Sequence, residues 1–320
     1  MKPKIYITRK MDVQVVAPLQ EKFDVRMWES ESEQVPRDVL LKEVANAEAL
    51  WTVISDRIDD EIIKAGKKLR MIANMAVGYN NIDIEAAKEH DVVVTNTPDV
   101  LTETTADLTF ALLLSTARQL TFAESELRKG NWKSWSPMDY TGMDVGGATL
   151  GIIGMGRIGE AVARRAKGFN MNVLYHNRNR KPDAEAAHGF DYRQLDQLLK
   201  EADFVVLLTP YTKETAGLIG AKELALMKKT AVLINVSRGG IVDEAALYNA
   251  LKNKTIWAAG LDVFETEPVP HDHPLLSLPN VTVLPHIGSA SIKTRLAMMD
   301  LNAQAIMDVL EGREPRNRVK

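Results

Sequence analysis

Cysteine is absent from the 320 residues, so no disulfide framework, thiolate metal site or catalytic thiol is available. An excess of basic charge is also missing. Lys and Arg number 40 against 43 Asp and Glu, a formal net charge of −3, and nothing here suggests a nucleic-acid partner. No stretch approaches the roughly 18 uninterrupted apolar residues of a membrane span. The N-terminal "MKPKIYITRKMDV" carries neither a long apolar run nor a small-residue cleavage site, so no secretory signal is expected. A soluble, cytoplasmic protein is the expectation. Repeats, low-complexity tracts and linkers are absent too.

The rest of the composition, 45% hydrophobic and 26% charged, is that of an ordinary globular protein. The length is enough for two domains, each with its own core. Short apolar runs alternate with amphipathic stretches, the pattern of an α/β protein. Strands are expected at "KIYIT", "DVRMW", "ALWTV", "MIANMA" and "DVVVT", with helices at segments such as "RDVLLKEVANA" and "DIEAAKEH". After the break at "NTPD", "LTETTADLTFALLLSTARQLTFAESELRKG" reads as one long helix. A second series follows, "TLGIIG", "NVLYH", "DFVVLL", "AVLINV", "IWAAGLDV" and "VTVLP", and a last helix ends at Gly312. The expected fold is α/β: two doubly wound, Rossmann-like parallel sheets, long helices crossing between them, and a cleft where they meet. The boundaries are 1–100 plus 290–320 for a discontinuous substrate-binding domain and 101–289 for a dinucleotide-binding domain.

In "TLGIIGMGRIGEAVARRAKGF" a strand runs into Gly154-Met155-Gly156-Arg157-Ile158-Gly159 and a helix follows. Gly154 permits the tight turn, Gly156 lets the backbone approach a pyrophosphate, and Gly159 allows close helix–strand packing. Free amides at the helix N-terminus favour an anion. An isolated turn of this kind is weak evidence, and a ligand-free glycine turn is the bland alternative. Its place between strand and helix argues for a dinucleotide.

A further absence gives this turn its meaning. An NAD-binding turn usually has an acidic residue about 20 positions on, where it bonds the ribose hydroxyls. Here no acid occurs between Glu160 and Asp183, and the strand "NVLYH" runs into Asn177, Arg178 and Asn179. Arg178 can hold a 2′-phosphate bidentately, with the two asparagines as neutral donors. Hydrogen bonds to a charged group contribute roughly 1.5–3 kcal/mol each. One or two would favour NADP over NAD by about tenfold to several hundredfold. A merely solvated basic loop would not account for the missing acid, so NADPH is the expected cofactor.

Three further segments place polar groups just after apolar strands, where open α/β sheets bind ligands. "AVLINVSRGGIVDEAAL" presents Arg238, "AAGLDVFETEP" presents Asp262 and Glu267, and "VTVLPHIGSAS" presents His286 ahead of Gly288. Singly they read as a cap, a surface carboxylate and a buried imidazole. Together they supply a carboxylate-binding guanidinium, a titratable acid/base and a carboxylate to orient it. That is equipment for reducing a 2-keto acid.

"GIIGMGRIG", "NVSRGGIVDE", "GLDVFETEP" and "PHIGSA" resemble, in order and spacing, the D-isomer-specific 2-hydroxyacid dehydrogenases. "MAVGYNNID" and "ETTADLTFALLL" extend the resemblance over essentially the whole chain. "GNWKSW", the basic turn and the ending "VLPHIGSA" look most like glyoxylate/hydroxypyruvate and 2-ketogluconate reductases. The resemblance implies that Arg238, Glu267 and His286 are the catalytic set, Glu267 being preferred over Glu265 because it precedes the proline. Asp262 matches the position that bonds the nicotinamide carboxamide, and Val236 and Gly288 fall with the cofactor contacts. Val77 and Gly78 match a loop whose amides bind the substrate carboxylate, and Ser289 is grouped with the substrate residues. The Trp-rich "NWKSWSP" matches a dimer-interface segment, from which Trp135 reaches a partner's site in a homodimer. Two rival readings are a phosphoglycerate dehydrogenase, although an extra regulatory domain found in some of those is lacking, and a nucleotide-sensing corepressor that binds without catalysis.

Overall fold

The computed structural model describes residues 2–319. The chain forms two compact units, residues 1–101 with 290–320, and residues 102–289.

The first unit holds a five-stranded sheet. Its strands are β1 (Lys4–Ile7), β2 (Asp24–Met27), β3 (Ala49–Val53), β4 (Met71–Met75) and β5 (Val93–Thr95). Their order is β2-β1-β3-β4-β5, and every pairing is parallel. The inner strands β3 and β4 are apolar almost throughout because both faces are covered. Helix Ile292–Leu310 lies against this sheet and Arg70 donates to the Val309 carbonyl at its end, 2.7 Å away. Gly312, with φ +81°, supplies the left-handed residue that turns the chain out of the helix.

The second unit holds a seven-stranded sheet, again parallel throughout. It comprises β6 (Thr149–Ile153), β7 (Asn172–His176), β8 (Asp191–Tyr192), β9 (Phe204–Leu207), β10 (Val232–Asn235), β11 (Ala258–Leu261) and β12 (Val281–Val283), in the order β12-β11-β10-β9-β6-β7-β8. The chain order reverses between β6 and β9, so the carboxyl ends there form the switch point at which such sheets take ligands. The edge strand β8 is two residues long, too short for an alternation pattern to announce it.

The single long helix expected over 101–130 is instead two, Thr102–Ala117 and Leu120–Arg128. Gln119 adopts φ +51° between them. The cause lies in a loop further along the chain. Met143 donates its amide to the Ala117 carbonyl at 2.8 Å, taking the acceptor that the next helical turn needs. A Cβ on Gly142 would overlap that carbonyl, so only glycine lets the loop come so close. The first helix buries eight of its residues in the unit's core, whereas the second buries none.

Candidate active site

At the end of β6, Gly154 takes φ +104°, and a Cβ there would lie 2.6 Å from the backbone of Leu208 and Thr209. A Cβ on Gly159 would sit 2.5 Å from the Gly154 carbonyl, so the helix Arg157–Lys167 can approach the turn only through glycine. Gly156 differs, since a Cβ would meet nothing within 4 Å. Its bare backbone opens outward as the N-cap, and no side chain caps the amides of the first turn. Arg157 and Ile158 begin that turn. An exposed, uncapped helix start of this kind fits a pyrophosphate.

The basic turn after β7 is divided by its partners. Arg180 pairs with Glu185 at 2.5 Å and lies over the Tyr192 ring, and Lys181 pairs with Glu160. Asn177 is committed to the glycine turn: its Oδ1 accepts from the Met155 amide at 2.7 Å and its Nδ2 donates to the Met155 carbonyl at 3.3 Å. It therefore staples the end of β7 to the pyrophosphate turn, a role not visible from its position in the sequence. Arg178 and Asn179 remain exposed. Among the described residues Arg178 forms no ion pair within 4 Å, although its charge helps to hold the Glu214 carboxyl below its ordinary range, after the hydrogen bond from Thr212.

Beyond β10, the buried Asn235 shapes the next loop. Its Oδ1 accepts from the Ser237 amide at 3.0 Å and its Nδ2 donates to the Arg238 carbonyl at 2.9 Å. Ser237 also donates its hydroxyl to the Thr209 carbonyl, and Arg238 donates to the Ser237 carbonyl at 2.7 Å. Val236 lies buried at the root of the loop. Gly239 packs so tightly that a Cβ would overlap the backbone of Phe264 and Glu265. That contact sets the Arg238 loop directly on the loop carrying Glu267. Burial pushes the Arg238 pKa down and nearby Glu267 pulls it up, and the guanidinium remains a cation.

Asp262, after β11, is 1% exposed and organises the histidine loop. Its carboxylate accepts from the amides of Ile287 at 2.7 Å and Gly288 at 2.8 Å, and its carbonyl accepts from the His286 amide at 2.9 Å. Burial raises its pKa, against the opposing pull of these amides and of His286. His286 itself has φ +54°, a left-handed conformation that costs about 1–3 kcal/mol for a residue with a Cβ. The three bonds to Asp262 hold it there and fix the backbone from which the imidazole projects.

His286 Nδ1 lies 2.6 Å from Glu267 Oε2, while Glu267 Oε1 accepts from the Phe264 amide at 2.9 Å. A carboxylate at Nδ1 assigns the proton there and leaves Nε2 as the nitrogen for exchange. Burial alone would raise the Glu267 pKa. The hydrogen bond and charge of His286, the Phe264 amide and Arg238 outweigh it and hold the carboxyl below its ordinary range. Glu265, the alternative in "ETEP", spends its amide on Glu244 Oε1 at 2.6 Å. Ser289 is half-buried at the end of the histidine loop, and Trp135 is 78% exposed. In the first unit Val77 and Gly78 follow β4, with Val77 exposed and Gly78 half-buried. Among the described residues no group of three or more His, Asp or Glu side chains is placed to hold a metal ion, and no helix is long and apolar enough to cross a membrane.

A pyrophosphate turn at the switch point of a parallel sheet, with an imidazole–carboxylate pair at neighbouring strand ends, defines a dinucleotide-dependent oxidoreductase. Comparison with known proteins narrows that class. Residues 110–288 match the family model "D-isomer specific 2-hydroxyacid dehydrogenase, NAD binding domain". The chain belongs to this family. It is 50% identical over 319 residues to the glyoxylate reductase of Thermococcus gammatolerans, covering 98% of this chain and 95% of that one. Among solved structures, a protein from Thermus thermophilus shares 44% identity with a TM-score of 0.92, covering 99% of this chain and all 100% of the other. The NADPH-dependent glyoxylate/hydroxypyruvate reductase of Sinorhizobium meliloti, solved with NADP and malonate, shares 37% identity with a TM-score of 0.87, covering 100% of this chain and 97% of its own.

Proposed function

We propose that this protein uses NADPH to reduce glyoxylate, hydroxypyruvate and related small 2-keto acids, 2-ketogluconate among them, to D-2-hydroxy acids. The observation that carries this reading is the 2.6 Å His286–Glu267 pair, set on the Arg238 loop by Gly239, in a chain half identical to a glyoxylate reductase. NADPH, when bound, supplies the hydride that adds to C2 of the keto acid. The turn that Gly154 and Gly159 shape would hold its pyrophosphate at Gly156, with the amides of Arg157 and Ile158. Val236, Asp262 and Gly288 would hold the nicotinamide end.

The chain's own groups manage charge and protons. Arg238 grips the substrate carboxylate and polarises the ketone, an interaction that strengthens as negative charge gathers on the carbonyl oxygen. His286 gives that oxygen its proton from Nε2, and Glu267 stabilises the imidazolium from the other side. Residues 1–100 with 290–320 would be the substrate-binding domain, in which the amides of Val77 and Gly78 are donors suited to a carboxylate, and Ser289 is grouped with the substrate residues.

NADPH is preferred over NADH because Arg178 and Asn179 stand where an acid would repel the 2′-phosphate. Arg178→Ala is expected to raise KM for NADPH by about tenfold to a hundredfold and to leave KM for NADH unchanged. Initial rates with each cofactor check this, and an equal effect on both would remove Arg178 from cofactor choice.

The same reading makes the protein a cytoplasmic homodimer. Helix Leu120–Arg128 buries none of its residues, and Leu120, Leu127, Trp132, Trp135 and Met138 are all exposed. A run of large apolar side chains on one segment suits burial against a second copy, with Trp135 directed at the partner's site.

A further inference from the structure

The last described residues fold back along β5. Val319 donates its amide to the Val94 carbonyl at 2.8 Å, and Arg318 bridges Thr95 in the antiparallel sense. Just before them Asn317 is 5% exposed and grips Asn96 from both sides. Asn317 Nδ2 donates to the Asn96 carbonyl at 2.6 Å, and the Asn96 amide donates to the Asn317 carbonyl at 3.3 Å. The Asn96 side chain then reaches the loop after β4, where its Nδ2 donates to the Val77 carbonyl at 2.8 Å. Its neighbour Thr97 donates an amide to the Ala76 carbonyl at 2.9 Å.

Peptide planarity turns these two carbonyl contacts into aim. A carbonyl and the following N–H belong to one rigid plane and point in opposite directions. Holding the Ala76 oxygen therefore fixes the Val77 N–H, and holding the Val77 oxygen fixes the Gly78 N–H. From the other side, the buried Asn74 donates to the Gly78 carbonyl at 3.0 Å and faces Asn81 at 3.3 Å. Among the described residues neither the Val77 nor the Gly78 amide donates a hydrogen bond. The loop thus has its carbonyls tied back and two adjacent donors left available for an anion.

We propose that Asn96, locked by Asn317, is a positioning residue that sets substrate affinity by aiming the Val77 and Gly78 amides, so that the tail 314–319 is part of the substrate-binding apparatus. This rests on the reading of those amides as the seat of the substrate carboxylate. The test is steady-state kinetics of the full-length Asn96→Ala, Asn96→Asp and Asn317→Ala variants with glyoxylate and NADPH, with Tm recorded alongside.

Each alanine variant is expected to raise KM for glyoxylate by about five- to tenfold, with kcat within about twofold and KM for NADPH unchanged. Asn96→Asp should raise it at least as much, since an acceptor then faces the Val77 carbonyl. A glyoxylate KM unchanged in folded Asn96→Ala overturns the proposal, and so does a parallel loss of kcat and NADPH affinity, which would mark a merely structural role. Gly78→Pro, which deletes one of the two N–H groups, separates the layers. If it raises the glyoxylate KM while Asn96→Ala and Asn317→Ala do not, the carboxylate seat stands and the relay falls. If it too leaves KM unchanged, the seat itself is wrong.

Discussion

Replacing His286 by alanine is expected to lower kcat for 2-keto acid reduction by about 10²–10⁴-fold, the range typical of losing a positioned general acid. The geometry supports a loss in kcat rather than in binding. Nδ1 is occupied by Glu267 at 2.6 Å, which leaves Nε2 as the nitrogen for proton exchange, on a backbone held in a left-handed conformation by three bonds to Asp262. The pyrophosphate turn lies elsewhere on the sheet, so NADPH binding should stay within about twofold. Single-turnover rates with NADPH and glyoxylate measure the effect. A variant retaining near-wild-type turnover would remove His286 from the mechanism and leave the strain at residue 286 without a purpose.

Gly239→Ala should be nearly as damaging, although residue 239 touches neither proton nor hydride. An added Cβ would overlap the backbone of Phe264 and Glu265. Backbone on both sides leaves no flexible side chain to yield, so the Arg238 loop and the Glu267 loop must separate. Overpacking of this kind costs about 1–3 kcal/mol of stability. The catalytic loss is expected to be larger in proportion, because a displacement of about 1 Å between reacting groups can cost 10²-fold. kcat/KM for glyoxylate should therefore fall by about 10² or more, with a modest drop in Tm. Wild-type kcat/KM in this variant would show that the contact between the two loops does not set their catalytic geometry.

These two residues also mark what could be read from the sequence. The strand runs of both sheets except the two-residue β8, the glycine turn and the polar groups after "AVLINV", "AAGL" and "VTVLP" were legible because burial imposes apolar periodicity and ligands gather at strand ends. His286 and Glu267 were legible as residue types in a known order. Their mutual orientation was not, because it is set by Asp262, by the Phe264 amide and by a left-handed backbone that no local pattern declares. The break at Gln119 was hidden for the same reason. A long run of helix-forming, largely apolar residues gives no sign that Met143, from a loop further on, will take the Ala117 carbonyl. Asn177 was legible as a polar residue just after β7, but its two bonds to Met155 were not. Long-range side-chain-to-backbone bonds of this kind decide the site's shape and leave little trace in sequence.

The central claim is NADPH-dependent reduction of small 2-keto acids. Its most direct test is kcat/KM for glyoxylate, hydroxypyruvate, 2-ketogluconate and 3-phosphohydroxypyruvate, each with NADPH and with NADH. Glyoxylate and hydroxypyruvate should be reduced fastest, with NADPH favoured by about tenfold or more. Absence of keto-acid-dependent NADPH oxidation, or a preference for NADH, would contradict the account.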